Sequence, residues 1–274
     1  MREGYSIETL PNGVRLAIEP VPAVRSASLG IWVGTGSRHE KEEEGGAAHF
    51  IEHMVFKGTG RRSAQQLAQE MDAIGGQVNA YTTKEHTCFY ARSLDEHLDR
   101  AMDMLCDMVF CSRFDEEDVA TERGVILEEI GMYEDNPEDM CAERLMAGVY
   151  AGTPLGRPIL GRRETLEKMT GAWLRDYMRA HYLPGDIVVS LAGSFPPVIV
   201  EELKARFSGL TGGKAPQPAP VSYVPAVTVK EKAIEQNHLT LAFPGLPYGH
   251  PKRFAFQLLS SMLGGGMSSR LWQE

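Results

Sequence analysis

The chain has 274 residues, 43% of them hydrophobic and 24% charged, with a formal net charge of -9. Such a composition describes a globular protein of roughly two domains and excludes the disordered and membrane-spanning classes. The charge argues against a nucleic-acid partner, because no basic stripe offsets it, and leaves room for a positively charged substrate.

The first residues carry neither an apolar stretch nor a small-residue cleavage site, so no secretory signal is expected. Tyr5 to Leu10 and Val14 to Glu19 alternate apolar and polar residues around Pro11-Asn12-Gly13, a hairpin signal. Ala27 to Val33 reads as a strand that ends in Gly34-Thr35-Gly36-Ser37, and the charged run Arg38 to Glu44 reads as a solvated loop. Gly45-Gly46 then leads into a helix around His49. Ser63 to Ile74 is a second helix, with Ser63 as its N-cap and Gly75-Gly76 as its stop.

Gln77 to Thr82 and Thr87 to Ser93 read as strands, and Leu94 to Phe110 as a helix whose apolar stripe is core. Phe114 to Tyr133 is a further helix closed by Asn136-Pro137, and Glu138 to Tyr150 another. Thr165 to Tyr182 is broadly helical with a break at Gly171; Asp186 to Ala192 is a strand and Pro197 to Phe207 a helix. The Pro- and Gly-rich stretch 211–225 is a linker. Beyond it, Val227 to Lys230 and His238 to Phe243 read as strands and Phe254 to Leu263 as a helix. The glycines at 264–266 follow a helix and lack the Gly-Lys-Ser/Thr ending of a phosphate-binding loop. Cys88, Cys106, Cys111 and Cys141 form no Cys-x-x-Cys pair. They read as free thiols, Cys88 and Cys106 as core fillers, and a cytoplasmic location is the expectation.

The chemistry concentrates at His49-Phe50-Ile51-Glu52-His53. On a helix, His49 and His53 stand one above the other at i and i+4, with Glu52 on the neighbouring row. Two imidazoles can supply half of a tetrahedral zinc shell, and a carboxylate beside them can hold a water and take its proton. His-x-x-Glu-His is the inverted zincin order. By itself it fixes three positions, and two partly exposed histidines flanking a surface Glu is the plain alternative. A third ligand decides between them.

The acidic helix 115–133 offers Glu116, Glu117, Glu122, Glu128 and Glu129. At about 100° per residue, Val119, Ile126, Ile130 and Tyr133 gather on one buried face, and Glu122 and Glu129 fall on that face while Glu128 does not. A carboxylate on an apolar face is costly unless it is paired or holds a metal. Pairing with Arg123 or Arg144 is the structural alternative; with the histidine motif upstream, a metal site explains both observations, with Glu129 or Glu122 as third ligand.

Together these residues resemble the insulinase/pitrilysin family of zinc peptidases, and within it the mitochondrial processing peptidase branch with its bacterial relatives. The resemblance is carried by Leu10-Pro11-Asn12-Gly13-Val14, by Gly30 to Arg38, by His49 to Thr59, by Asn79-Ala80-Tyr81-Thr82, by Glu122 to Ile130, and by Leu263 to Leu271. It implies that His49, His53 and Glu129 bind zinc, with Glu129 76 positions after His53. Glu52 is then the general base and Glu122 a carboxylate that supports the ligands from behind. Phe56 lines a substrate side-chain pocket, and Asn79, Ala80, Tyr81 and Thr82 form an edge strand that an extended peptide joins. Two His and one Glu also accept cobalt or manganese.

The fold implied is α+β: a mixed or antiparallel sheet with helices packed mainly on one face, plus the start of a second similar domain. The partition expected is a zinc-bearing domain over 1–210, a linker over 211–225 and a second domain over 226–274. The chain stops at Glu274 inside what reads as a helix, so most of the family's second half is expected to lie outside this sequence. That half includes the Arg and Tyr the family places across the cleft. The expected function is a zinc endopeptidase acting on internal bonds of extended or unfolded peptides, working as a homodimer, with a similar subunit or with the missing half. A non-catalytic or partner-dependent subunit is the alternative, against which the intact His49, Glu52, His53 and Glu129 set argues.

Overall fold

The computed structural model describes residues 4–215 and 218–274. Its centre is a six-stranded sheet in the order β1-β2-β6-β3-β5-β4. Asn12 and Gly13 turn β1 (Ser6–Thr9) into β2 (Arg15–Pro20), its antiparallel partner. The Asn12 side chain donates to the carbonyls of Phe207 and Leu210 at 2.8 and 3.0 Å, which ties the turn to a helix far along the chain. β3 (Ser26–Val33) pairs antiparallel with β5 (Thr87–Leu94) on one side and β6 (Ile187–Gly193) on the other. β6 runs parallel to β2, the one parallel pair, and β4 (Gln77–Thr82) closes the sheet as an edge beside β5.

Alternation along the strands sorts the two faces. Leu16, Ile18, Leu29, Ile31, Val33, Phe89, Val189 and Leu191 are buried on the inner one. Helices cover that face: α1 (Ala47–Met54) with Phe50, Ile51 and Met54, and α3 (Leu98–Cys111) with Met102, Leu105 and Val109. α7 (Gly171–His181) adds Leu174 and Tyr177, and α8 (Pro197–Ser208) adds Leu203 and Phe207. α2 (Ala64–Ala73) starts at Ser63, whose hydroxyl accepts from the Gln66 N–H. α4 (Glu116–Asp135) and α5 (Pro137–Val149) form a hairpin of helices broken by Asn136-Pro137, and α6 (Arg163–Leu166) is a single turn. The fold is α+β with helices on one face, as expected.

Several local expectations differ from the structure. Leu94 ends β5 and is exposed; a 3-10 turn covers Asp95–His97, and the α-helix begins only at Leu98. Phe114 sits outside α4 with φ 52°, so that helix starts two residues later. The break expected at Gly171 is present: α6 ends at Leu166, and Thr170 caps a new helix at Gly171 by accepting from the Trp173 N–H. Val227 to Lys230 and His238 to Phe243 are not strands: among the described residues no strand pairs with them. Val224 N–H instead donates to the Val149 carbonyl at 3.0 Å, and Arg144 to the Val229 carbonyl at 3.3 Å, along α5.

Contacts divide the chain into Met1–His238 and Leu239–Glu274. The second unit holds α9 (Arg253–Gly264) and α10 (Arg270–Gln273). Of the proline-rich stretch 211–225, Pro216 and Gln217 lie outside the described residues. Cys88 and Cys106 are buried, and neither is in a disulfide. Among the described residues no helix is long and apolar enough to cross a membrane.

Candidate metal centre and cleft

α1 is eight residues long and is held by packing. Phe50, Ile51 and Met54 are fully buried on one side, which turns His49, Glu52 and His53 toward the other. The His49 and His53 rings meet edge-to-face with centroids 4.6 Å apart. Glu129 on α4 comes to meet them: its Oε2 lies 3.7 Å from His49 Nε2 and 3.7 Å from His53 Nε2. One donor atom from each of the three residues falls within 4.8 Å of the others.

This convergence fits a metal better than hydrogen bonding. At 3.7 Å the contacts are too long for hydrogen bonds. A tetrahedral site with bonds of about 2.0–2.1 Å has ligand-to-ligand edges of about 3.4 Å. His53 Nδ1 meets Glu122 Oε2 at 3.1 Å, the orientation a histidine takes when its other nitrogen is left free for a metal. Burial, with the neighbouring His53 adding to it, pushes the His49 imidazole down to about 3, so His49 is neutral and its lone pair available.

Glu52 stands beside the three donors, half-buried. Burial raises its carboxyl above the ordinary range, against hydrogen bonding from Thr82 and the charge of His53. Its Oε2 is buried without a hydrogen-bond partner among the described residues. Glu122 is buried and also pairs with Lys57. The pairing with Arg123 or Arg144 considered from sequence is absent: Arg123 donates to the Leu166 and Met169 carbonyls and Arg144 to Val229.

The buried face of α4 is shorter than its periodicity implied. Val119, Glu122 and Ile126 are buried, but Tyr133 is 47% exposed. From Glu129 onward that face opens on a cleft of about 770 Å³ bounded also by His49, Glu52, Tyr81 and Thr82. Asn79 and Ala80 lie further along the β4 edge, outside this lining, and Phe56 is half-buried against the core. Part of the lining is a segment that sequence reasoning missed, Pro158 to Glu164, with Ile159 and Leu160 bordering the space. It is packed on the entry to α1: Gly161 has φ 76°, and a Cβ there would lie 2.3 Å from the Gly45 carbonyl. The glycine was its one visible signal.

Glu40 was also missed. Placed from sequence in a solvated loop, it is 3% exposed and accepts from the N–H groups of Gly46 and Ala48. The signal was indirect: no Ser, Thr, Asp or Asn stands before the histidine helix, so its cap has to come from elsewhere.

The family model described as Insulinase (Peptidase family M16) matches residues 15–163, and that of the Peptidase M16 inactive domain matches residues 168–274. The chain is 45% identical over 267 residues to the uncharacterized zinc protease YmxG of Bacillus subtilis, covering 97% of this chain and 65% of YmxG. To the uncharacterized zinc protease SCO5738 of Streptomyces coelicolor it is 44% identical over 276 residues, covering 97% of this chain and 60% of that one. The chain thus spans less than two thirds of the length of these two relatives. A solved peptidase M16 inactive domain from Pseudomonas fluorescens shares the fold, with a TM-score of 0.83 at 19% identity over 98% of this chain and 67% of that one.

Proposed function

Because the chain belongs to the insulinase family of peptidases, M16, we propose that it is the zinc-bearing part of an endopeptidase for extended or unfolded peptides. The observation that carries this reading is the convergence of His49, His53 and Glu129 beside an unpartnered Glu52 oxygen at the head of a cleft. His49, His53 and Glu129 would hold the metal. When bound, zinc supplies Lewis-acid chemistry toward a scissile carbonyl and lowers the pKa of water.

Glu52 Oε2 takes a proton from the attacking water and returns it to the leaving amine nitrogen. A carboxyl raised by burial is a stronger base than an exposed one, which suits both transfers. Glu122 accepts from His53 Nδ1 and so sets which imidazole nitrogen faces Glu129. β4 pairs with β5 on one side only, and its open edge over Asn79, Ala80, Tyr81 and Thr82 can take an extended peptide as a further strand. Phe56 would bound a pocket for a substrate side chain.

The reading includes a catalytic domain over 1–210, a linker over 211–225 and a second domain over 226–274; the lack of helix or strand among the described residues of 211–225 supports it. A cytoplasmic location is part of it, supported by the free thiols of Cys88, Cys106 and Cys111. Cleavage is expected to need a second half or a second similar chain, in keeping with Phe254, Leu258 and Met262 exposed on α9. Glu52→Gln tests the chemistry. In the full-length protein the variant should retain zinc and lose cleavage of an unfolded peptide by at least about a hundredfold. Cleavage at the wild-type rate would refute the assignment of the base.

A further inference from the structure

The first N–H groups of a helix find no partner inside it, and the cap position of α1 is Gly46, which has no side chain to offer them. Glu40, six residues upstream, takes that place. Its Oε2 accepts from the Gly46 N–H and its Oε1 from the Ala48 N–H, each at 2.9 Å. Ala48 is followed directly by His49, and Glu52 and His53 lie on the next turn.

Glu40 is itself held by the residue that leads into the cleft wall. The Arg157 guanidinium donates to its backbone carbonyl. Beside it Thr165 Oγ1 donates to the Gly45 carbonyl at 2.7 Å, and a Cβ on Gly46 would lie 2.8 Å from the Leu160 carbonyl. One junction therefore joins the start of the histidine helix to the 158–164 segment that lines the same cleft.

Stability does not explain a carboxylate here. Burial pushes the Glu40 carboxyl up to about 7, against the pull of the Ala48 and Gly46 amides and of Arg157; Glu44 and the Tyr177 hydroxyl are the other titratable groups facing it. A folded value above the ordinary one means that the ionised group, present at pH 8, disfavours the folded state relative to the unfolded. A buried charge kept at a net cost marks a functional position more often than a core one.

We propose that Glu40 is a positioning residue for the metal centre, clamping the first turn of α1 to the cleft wall so that His49, Glu52 and His53 keep the register the site needs. This rests on the zinc reading above.

Glu40→Gln keeps the shape and removes the charge and one of the two acceptors. Zinc affinity by chelator competition at pH 8, melting of the metal-free protein and amide exchange along α1 would be compared with wild type. The zinc dissociation constant should rise about tenfold or more. Amides at 46–50 should exchange faster while those of α3 do not change, and the metal-free melting temperature should not fall. Arg157→Ala, which frees the Glu40 backbone, should move zinc affinity in the same direction by a smaller factor. Unchanged zinc affinity in Glu40→Gln would overturn the inference, and so would a variant that melts lower or fails to fold, with exchange faster throughout. A wild-type protein that binds no zinc would instead overturn the site reading itself, and this inference with it.

Discussion

His53 Nδ1 lies 3.1 Å from Glu122 Oε2, and Glu122 in turn pairs with Lys57, just beyond the end of α1. A buried carboxylate with a histidine on one oxygen and an ammonium on the other is fixed in direction, and it fixes the imidazole in turn. Glu122→Ala should leave the three donor residues in place yet weaken zinc binding by about 10–100-fold, because His53 loses the partner that sets its tautomer. Competition against a chelator reads this directly; unchanged affinity would show that Glu122 serves only Lys57.

The turn that follows α1 is anchored by a second buried carboxylate. Asp107 on α3 accepts from Thr59 Oγ1 at 2.8 Å, Arg62 Nη1 at 2.8 Å and Arg61 Nε at 3.0 Å. Burial alone would push this carboxyl up, but the hydrogen bonds from Thr59, Arg62 and Arg61 outweigh it and hold it below the ordinary range. A folded value below the unfolded one contributes stability that is present above about pH 4 and lost as pH falls through the folded value. Asp107→Asn should therefore destabilise the domain by about 2–3 kcal/mol at pH 7 in urea unfolding. The gap from wild type should shrink as pH falls below about 4; an equal gap at pH 3 would refute the charged role.

Much of this site could be read from residues alone because it is built from local patterns. The i, i+4 spacing put His49 and His53 on one face, and a seven-residue spacing put Glu122 and Glu129 on another. Asn12-Gly13 gave the first hairpin, and the strand-forming composition of 77–82 gave β4 with its bounds. What escaped depends on contacts between distant segments. Glu40 looks like any member of a charged run until Gly46 and Ala48 are seen to donate to it. The wall 158–164 has no period, and Gly161 explains itself only against Gly45. Val227 to Lys230 and His238 to Phe243 have the composition of strands, but a strand exists only where another pairs with it, and α5 takes the neighbouring backbone instead.

The β4 edge offers a test of substrate binding. The Ala80 N–H is turned to the open side, where the Asn79 side-chain oxygen accepts it at 2.8 Å. A peptide adding as a strand would compete for that donor. Ala80→Pro removes it while sparing the ladder to β5, since inward and outward N–H groups alternate along an edge strand. In the full-length protein KM for an unfolded peptide should rise about tenfold, the worth of roughly one hydrogen bond, with zinc content unchanged. An unaltered KM would argue against strand addition at this edge.

The metal is the central claim, and elemental analysis of protein purified without added metal tests it most directly. Wild type should carry about one zinc per chain, and His53→Ala, with one of the three donors gone, should carry almost none. No metal in wild type, or equal metal in both, would contradict the assignment of His49, His53 and Glu129 as the zinc site.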